Sequence, residues 1–236
     1  MTPLANNHIS VDCVVLGFDG SGLRVLLVKR VGEHRGEEYN DLKLPGSLIY
    51  QDEDLDEAAQ RVLRELTGIG DVALQQFKAF GSKDRTRNLR DVIWLERAQQ
   101  AHVERIVTVG YLAVVKLDAA MMRVVNRENA LWHPIDSLGT LAFDHNIIVD
   151  EALKALRREV DVNKATIFDL LPRKFTALQL RQLTEIIYGK PIDVRNFHKK
   201  IAQMPYVVPL EERERGVAHR AARFYKFDRK LYNNSR

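Results

Sequence analysis

Glu53, Arg61 and Glu65 stand in the stretch LPGSLIYQDEDLDEAAQRVLRELTGIG, residues 44–70, at spacings that could do chemistry. A carboxylate in a loop followed by a second on a helix could offer oxygen ligands to a hard cation. Mg²⁺ or Mn²⁺ takes several oxygen ligands, and such an ion set against a phosphate acts as a Lewis acid. The set is short of ligands. Positions 62 and 66 share a helix face, and they hold Val62 and Leu66. Glu65 also lies four residues beyond Arg61, so an ion pair along the helix competes for its charge.

The helix that positions these residues is written locally. Asp54 and Glu57 stand as a cap and its answering acid. Leu55, Ala59, Val62 and Leu66 then recur at helical spacing, and Gly68 ends the run. Upstream, SVDCVVLGF and LRVLLVKR flank DGSG, which predicts a β-hairpin. VGEHRGEEYNDL, residues 31–42, is polar with two glycines and reads as a loop. Downstream, DVALQQFKAFG reads as a strand. Residues 82–104 are highly charged and read as loop with a short strand or helical turn. RIVTVGYLAVVKL alternates as a strand does. NALWHPIDSL gives a short strand and turn. DHNIIVDEALKALRREV predicts a helix with Ile148, Ala152, Ala155 and Leu156 inward. Strands mixed with two helices imply an α/β layered domain.

DVNKATIFDLLPR, residues 161–173, interrupts the helical pattern, so a domain junction is placed near residue 160. FTALQLRQLTEIIYG starts at a Thr176 cap and stops at Gly189, and PIDVRNFHKKIAQM runs from Pro191 to just before Pro205. Two short helices joined by a Gly-Lys-Pro turn outline a helix-turn-helix. YVVPL and RFYKFD are strand candidates around the charged tip EERERGVAHRAA, which completes the outline of a winged helix.

Composition narrows the function classes. Of 236 residues 45% are hydrophobic and 29% charged, which excludes disorder of the whole chain. No apolar run is long enough for a membrane span. The start MTPLANNHIS lacks signal-peptide features. Cys13 is the only cysteine, so no internal disulfide is possible, and a soluble, cytoplasmic setting is expected. The seven His show no ligand-like pairing, so a zinc site is not expected, and no cofactor is expected either. The net charge of +4 is divided unevenly. Residues 161–236 hold 16 Lys and Arg against 8 Asp and Glu, while residues 1–160 hold 20 against 24. A basic rear unit attracts polyanions, nucleic acid foremost.

Residues 47–69 resemble the Nudix box, G-x5-E-x7-R-E-U-x-E-E-x-G-U with U apolar. Glu53, Arg61, Leu63, Glu65, Gly68 and Ile69 match, and the sequence departs at Ser47, Val62 and Leu66. LAFDH at 141–145, FTALQLRQLTEIIYGKPIDVRNFHKKI at 175–201 and AHRAARFYKF at 218–227 extend the likeness over nearly the whole chain. It resembles the Nudix-related transcriptional regulators, in which a Nudix-like effector domain precedes a winged helix-turn-helix. Some members sense ADP-ribose and control NAD metabolism, and others respond to L-arabinose. AAQRVLRELTGI is most similar to the arabinose-responsive branch. Residues 89–104 look like an insertion relative to these regulators.

The resemblance implies an α/β Nudix-like sandwich, a mixed sheet between helices, over residues 1–160, and a small winged helix-turn-helix over 161–236. It implies no catalytic residue and no metal, because Val62 and Leu66 replace acidic ligands. It implies a homodimer on a roughly palindromic double-stranded operator and a small-molecule effector, a pentose first and ADP-ribose second, with no membrane partner. The alternative is a Nudix hydrolase acting on a nucleotide sugar or ADP-ribose, its metal held by Glu53, Glu65 and an acid such as Asp84.

The second helix of a helix-turn-helix enters the major groove. With Phe197, Ile201 and Met204 facing the core, Arg195, Asn196 and Lys199 are the base-edge candidates, flanked by His198 and Lys200. Lys174 and Thr176 open the first helix, where phosphate binds, Thr176 serving equally as a cap. Arg220 and Arg223 stand in the wing, a region that reaches phosphate or the minor groove. For the effector, Asp84, Arg85, Phe143, Asp144, His145, Lys29 and Arg30 supply donors, acceptors and an aromatic face. Trp94 and Trp132 read as core or interface.

Overall fold

The computed structural model describes residues 4–99, 102, 105–125, 129–214, 216 and 221–235. In chain order these form β1 (Ala5–Phe18), β2 (Leu23–His34), β3 (Glu37–Lys43), β4 (Gly46–Tyr50), α1 (Leu55–Thr67), β5 (Gln75–Phe80), α2 (Leu89–Gln99), β6 (Val107–Lys116), α3 (Ala119–Val125), β7 (Ala130–Pro134) and α4 (His145–Val162). Then follow α5 (Thr166–Leu170), β8 (Phe175–Thr176), α6 (Ala177–Tyr188), α7 (Val194–Ala202), β9 (Val207–Arg213), β10 (Arg223–Phe227) and α8 (Arg229–Asn234).

The long apolar β1 sits in the middle of a mixed sheet of order β3-β2-β1-β6-β5, with β4 paired to β1 and β7 to β2. β1 and β6 are parallel from Ile9 opposite Val107 to Phe18 opposite Lys116. Strand side chains alternate between faces, and both faces of β1 are apolar. Val11, Cys13 and Val15 pack with Ala58, Ala59, Val62 and Leu63 of α1. Val14, Leu16 and Phe18 pack with Ile148, Val149, Ala152 and Leu156 of α4. Each such side chain contributes about 1.5–3 kcal/mol by burial, so the sheet is clamped between α1 and α4. Asp12, on the α4-facing parity of β1, is buried with them.

Two stretches differ from their sequence-based expectation. Residues 31–42 form a hairpin of β2 with β3, paired from Val28–Lys43 to His34–Glu37. Arg35 and Gly36 both take positive φ, 54° and 81°, which is the primed turn that fits strand twist. The polarity that suggested a loop is that of an edge strand. Residues 89–99 form a full helix, α2. Asn88 starts it, its carbonyl accepting from Asp91 and Val92 N–H and its side chain from Arg90 N–H. Leu95 anchors it against Leu48 and Ile106. α3 and α8 add short helices where the sequence carried no expectation.

The rear unit is a winged helix. β8, β10 and β9 make a three-stranded antiparallel sheet, with α6 and α7 packed beside it. Thr176 and Gln179 form a reciprocal capping box on α6, and Gly189 closes it at φ 62°. Phe168 of α5 stacks on Phe227 at 4.3 Å, with Tyr206 edge-on to both. The face of α4 that covers the sheet continues into this core, since Ile148 and Leu156 share one apolar cluster with Phe168, Phe175, Leu183 and Phe197.

Candidate functional site

The Nudix-type loop and helix keep their frame around an arginine. Asp54 caps α1 with Glu57 answering, and Gly68 takes φ 73° at its end. Arg61 pairs with both Glu53 carboxylate oxygens and with Glu65 at 3.1 Å, and donates to Leu48 O. Its guanidinium lies 3.8 Å over the Tyr50 ring. Burial opposes ionisation of Glu53, but hydrogen bonds from Arg61 and Tyr50 N–H hold its carboxyl below the usual range. Val62 is fully buried and Leu66 packs against the same cluster. Positions 62 and 66 therefore contribute to packing, and the Glu53 and Glu65 carboxylates share one cation, Arg61. Among the described residues no group of three or more His, Cys, Asp and Glu is arranged to hold a metal ion. Ser47 of β4 lines a small cavity. A Cβ on its neighbour Gly46 would collide with the Asp12 carboxylate, so glycine at 46 lets these backbones meet.

That cavity, of about 30 Å³, marks the second constellation. Asp12, Lys43, Ser47, Arg85, Trp94, Phe143 and His145 are among its lining. Arg85 stands 3.3 Å from both Asp12 and Asp144. Leu44 N–H donates to His145 Nδ1 at 2.9 Å, which leaves the proton of a neutral ring on Nε2, 3.4 Å from Asp12 Oδ1. Burial pushes His145 down to about 3, so the ring is neutral at pH 7. Burial would raise Asp12, but His145, Arg85 and Lys43 around it hold the carboxyl below its ordinary value. Asp144 goes the other way, raised by burial despite Arg85. Lys43 is pushed down to about 8 by burial and donates to Gly46 O at 2.8 Å. One donor is unmet, since Arg85 Nη1 is buried without a partner.

Beside it, Arg30 is fully buried and joins the new hairpin to the new helix. It pairs with Asp41 of β3 and, at 2.6 Å, with Asp91 of α2. The rings of Tyr39, Trp94 and Phe143 stand 5.2–5.6 Å from its guanidinium carbon. Asp91 also accepts from Phe143 N–H at 3.2 Å. Phe143 itself has φ 56°, an unfavourable conformation for a bulky side chain that places its ring between Trp94 and His145. Trp94 lines the small cavity and a second one of about 280 Å³ between the hairpin and α2.

Of the seven residues assigned to an effector by sequence, the structure brings together Arg30, Arg85, Phe143, Asp144 and His145. Lys29 is exposed because strand alternation turns it away from Arg30. Asp84 is exposed and pairs with Arg87 at 3.8 Å. Sequence reasoning missed Asp12, Lys43, Asp41 and Asp91. Asp12 carried a signal: a lone carboxylate inside SVDCVVLGF is a buried charge that requires partners. Trp94, read as core or interface, lies at the pocket.

On the rear unit, α7 buries Phe197 and Ile201 and exposes Arg195, Asn196, His198, Lys199 and Lys200. Met204, beyond the helix, is partly buried against the core. None of the four basic side chains on α7 has an ion pair among the described residues, while other cations of the unit are engaged. Lys174 contacts Glu212 at 2.7 Å. Arg223 donates to Leu210 O at 2.7 Å and pairs with Glu211 at 3.1 Å. Thr176 is buried as the α6 cap, its hydroxyl accepting from Gln179 N–H. Arg220 lies outside the described residues.

Comparison with known proteins agrees with this architecture. A family model described as NUDIX domain matches residues 6–156, and one described as NrtR DNA-binding winged helix domain matches residues 167–227. The chain is 25% identical over 223 residues, 93% of its length and 81% of the relative's, to a protein of Acinetobacter baylyi named ADPR responsive transcriptional repressor NtrR. Its fold is similar to that of Shewanella oneidensis NrtR complexed with a 27mer DNA, with TM-score 0.66, 23% identity and 95% of each chain covered. It is also similar to a MutT/nudix family protein from Enterococcus faecalis, with TM-score 0.61, 21% identity, and 97% of this chain and 89% of that one covered.

Proposed function

We propose a function from one premise: the chain belongs to the NUDIX family and carries, over residues 167–227, a match to an NrtR DNA-binding winged helix domain. It is a transcriptional regulator that binds duplex DNA through α7 and reads a small molecule in its front domain. The observation that carries this reading is the exposed row of Arg195, His198 and Lys199 on α7, without ion pairs among the described residues. Unpaired cations on the second helix of a winged helix keep their field for phosphate and base edges. Lys174 and Arg223, held by Glu212 and Glu211, contact the backbone beside it.

The effector site is the Asp12–Arg85–His145 cluster. ADP-ribose is the first candidate, supported by the name of the Acinetobacter baylyi relative and by the unmet Arg85 donor. A pentose is the second, favoured by the Asp12 carboxylate, which suits hydroxyls better than phosphate, and by the Trp94 and Phe143 rings. Either ligand needs more room than about 30 Å³, and movement of Trp94 would join the two cavities it lines. α4 starts at His145 in this site and ends in the winged-helix core. A ligand preferring one placement of α4 would thereby bias α7, as differential affinity requires. The unit boundary is placed near residue 160, and the working form is a cytoplasmic homodimer on a palindromic operator. The alternative, hydrolysis of a nucleotide sugar or ADP-ribose, needs Glu53 and Glu65 released from Arg61.

The test is selection of genomic fragments by the full-length protein at about physiological salt, followed by addition of ADP-ribose or L-arabinose. Enrichment of a few palindromic upstream regions, with affinity altered by one ligand, is expected. Uniform recovery of all fragments would sink the regulator reading, and enrichment unaffected by either ligand would sink both effector candidates.

A further inference from the structure

A cavity of about 630 Å³ belongs to neither the Nudix-type box nor the Arg85 cluster. It opens in the rear unit, walled by the α4–α5 joint, α6, the turn after it and α7. Its size falls in the range of small-molecule sites, roughly 300–1,000 Å³. Ile167, Phe168, Leu180, Phe197 and Met204 make the walls apolar. Thr184, also on the wall, donates its hydroxyl to Leu180 O at 2.6 Å, so it has no proton to offer a ligand.

The rim is predominantly cationic. Lys164, Lys190 and Lys200 reach it from three separate elements, and no carboxylate lines it. Lys164 is held in place by Asp161 at 3.2 Å and the Tyr188 hydroxyl at 3.3 Å. Lys190 and Lys200 have no ion pair among the described residues. An apolar chamber with a cationic mouth is complementary to a molecule with an apolar body and an anionic head. Asn196, Tyr188 and Tyr206 are the other polar residues of the lining.

We propose that this chamber is a binding site for an amphipathic carboxylate, its hydrocarbon body between α5, α6 and α7 and its head at Lys164, Lys190 and Lys200. The site is independent of the effector reading above. The test is calorimetric titration of the full-length protein with sodium decanoate and, separately, decanol. Decanoate is expected to bind saturably with one molecule per chain, and decanol about tenfold more weakly. The double variant Lys190→Gln/Lys200→Gln alters only exposed side chains and should bring decanoate down to the level of decanol. Thr184→Trp, which fills the chamber, should abolish both heats.

Absence of saturable decanoate binding up to millimolar concentration would overturn the proposal. So would equal affinity for acid and alcohol, or decanoate binding unchanged in both variants. If decanoate gives no heat and Thr184→Trp instead splits a dimer in sedimentation, a second copy of the chain covers the chamber and the proposal fails.

Discussion

Arg30 and Arg195 present the same guanidinium in two settings. Arg30 is removed from water, and Asp41 and Asp91 meet its charge within hydrogen-bonding distance. Arg195 is exposed on α7 with no ion pair among the described residues. A buried charge must be matched where it stands, because desolvation costs several kcal/mol per ion. An exposed charge costs little to leave unmatched, and its field reaches about a Debye length into solvent. The front domain uses its cations to fix geometry, while α7 holds its cations available.

The sharpest way to break the contrast is to leave the buried charge unmatched. Asp91→Asn should destabilise the fold by about 3–5 kcal/mol, since Arg30 keeps its charge with half its partners. Urea denaturation measures this, and a loss under about 1 kcal/mol would mean that Arg30 does not need α2.

Next comes the exposed member. Arg195→Ala should leave stability within about 0.5 kcal/mol but weaken operator binding by about 1–3 kcal/mol. Lys199→Ala should lower the salt dependence of log K by about one unit of slope. Lys174→Ala should cost less than either, because Glu212 already engages that side chain. Fluorescence anisotropy over a salt series separates the three. An Arg195→Ala protein that binds normally would remove α7 from the interface.

The pocket contributes a pH signature. Burial holds folded His145 near 3 against 6.5 in the unfolded chain. Below about 6.5 the unfolded chain takes up a proton that the folded one refuses. The contribution is therefore present above that pH and is lost as pH falls towards 3, by up to about 1.4 kcal/mol per unit for one group. Between pH 6.5 and 4.5 the wild-type urea midpoint should fall more steeply than that of His145→Asn. Parallel slopes would place the ring in contact with water.

The smallest effect belongs to Glu65→Gln. This half-exposed partner of Arg61 should be worth only about 0.3–0.5 kcal/mol in the same denaturation assay. A larger loss would show that Glu65, like Asp91, is needed to neutralise its arginine.

Local physics made much of this molecule legible in the sequence. The capping boxes at Asp54–Glu57 and Thr176–Gln179, the left-handed closures at Gly68 and Gly189 and the apolar alternation of β1 and β6 each depend on neighbours a few residues apart. The aliphatic identity of Val62 and Leu66 marked their place on the apolar side of α1, and the i,i+4 spacing of Arg61 and Glu65 marked their pairing. Burial of Phe197 and Ile201 turned the basic side chains of α7 outward, as helical period requires.

Only the tertiary structure decided the pocket. Asp12, Lys43, Arg85, Asp91 and His145 come from β1, β3, a loop, α2 and α4, and nothing in a linear spacing announces that five such segments converge. The hairpin at 31–43 and the helix at 89–99 were hidden by their charge. Asp41 and Asp91 look like solvent-facing residues until Arg30 is found buried between them. Periodicity is set along the chain, whereas the matching of a buried charge is set across it, between segments whose separation in sequence carries no physical constraint.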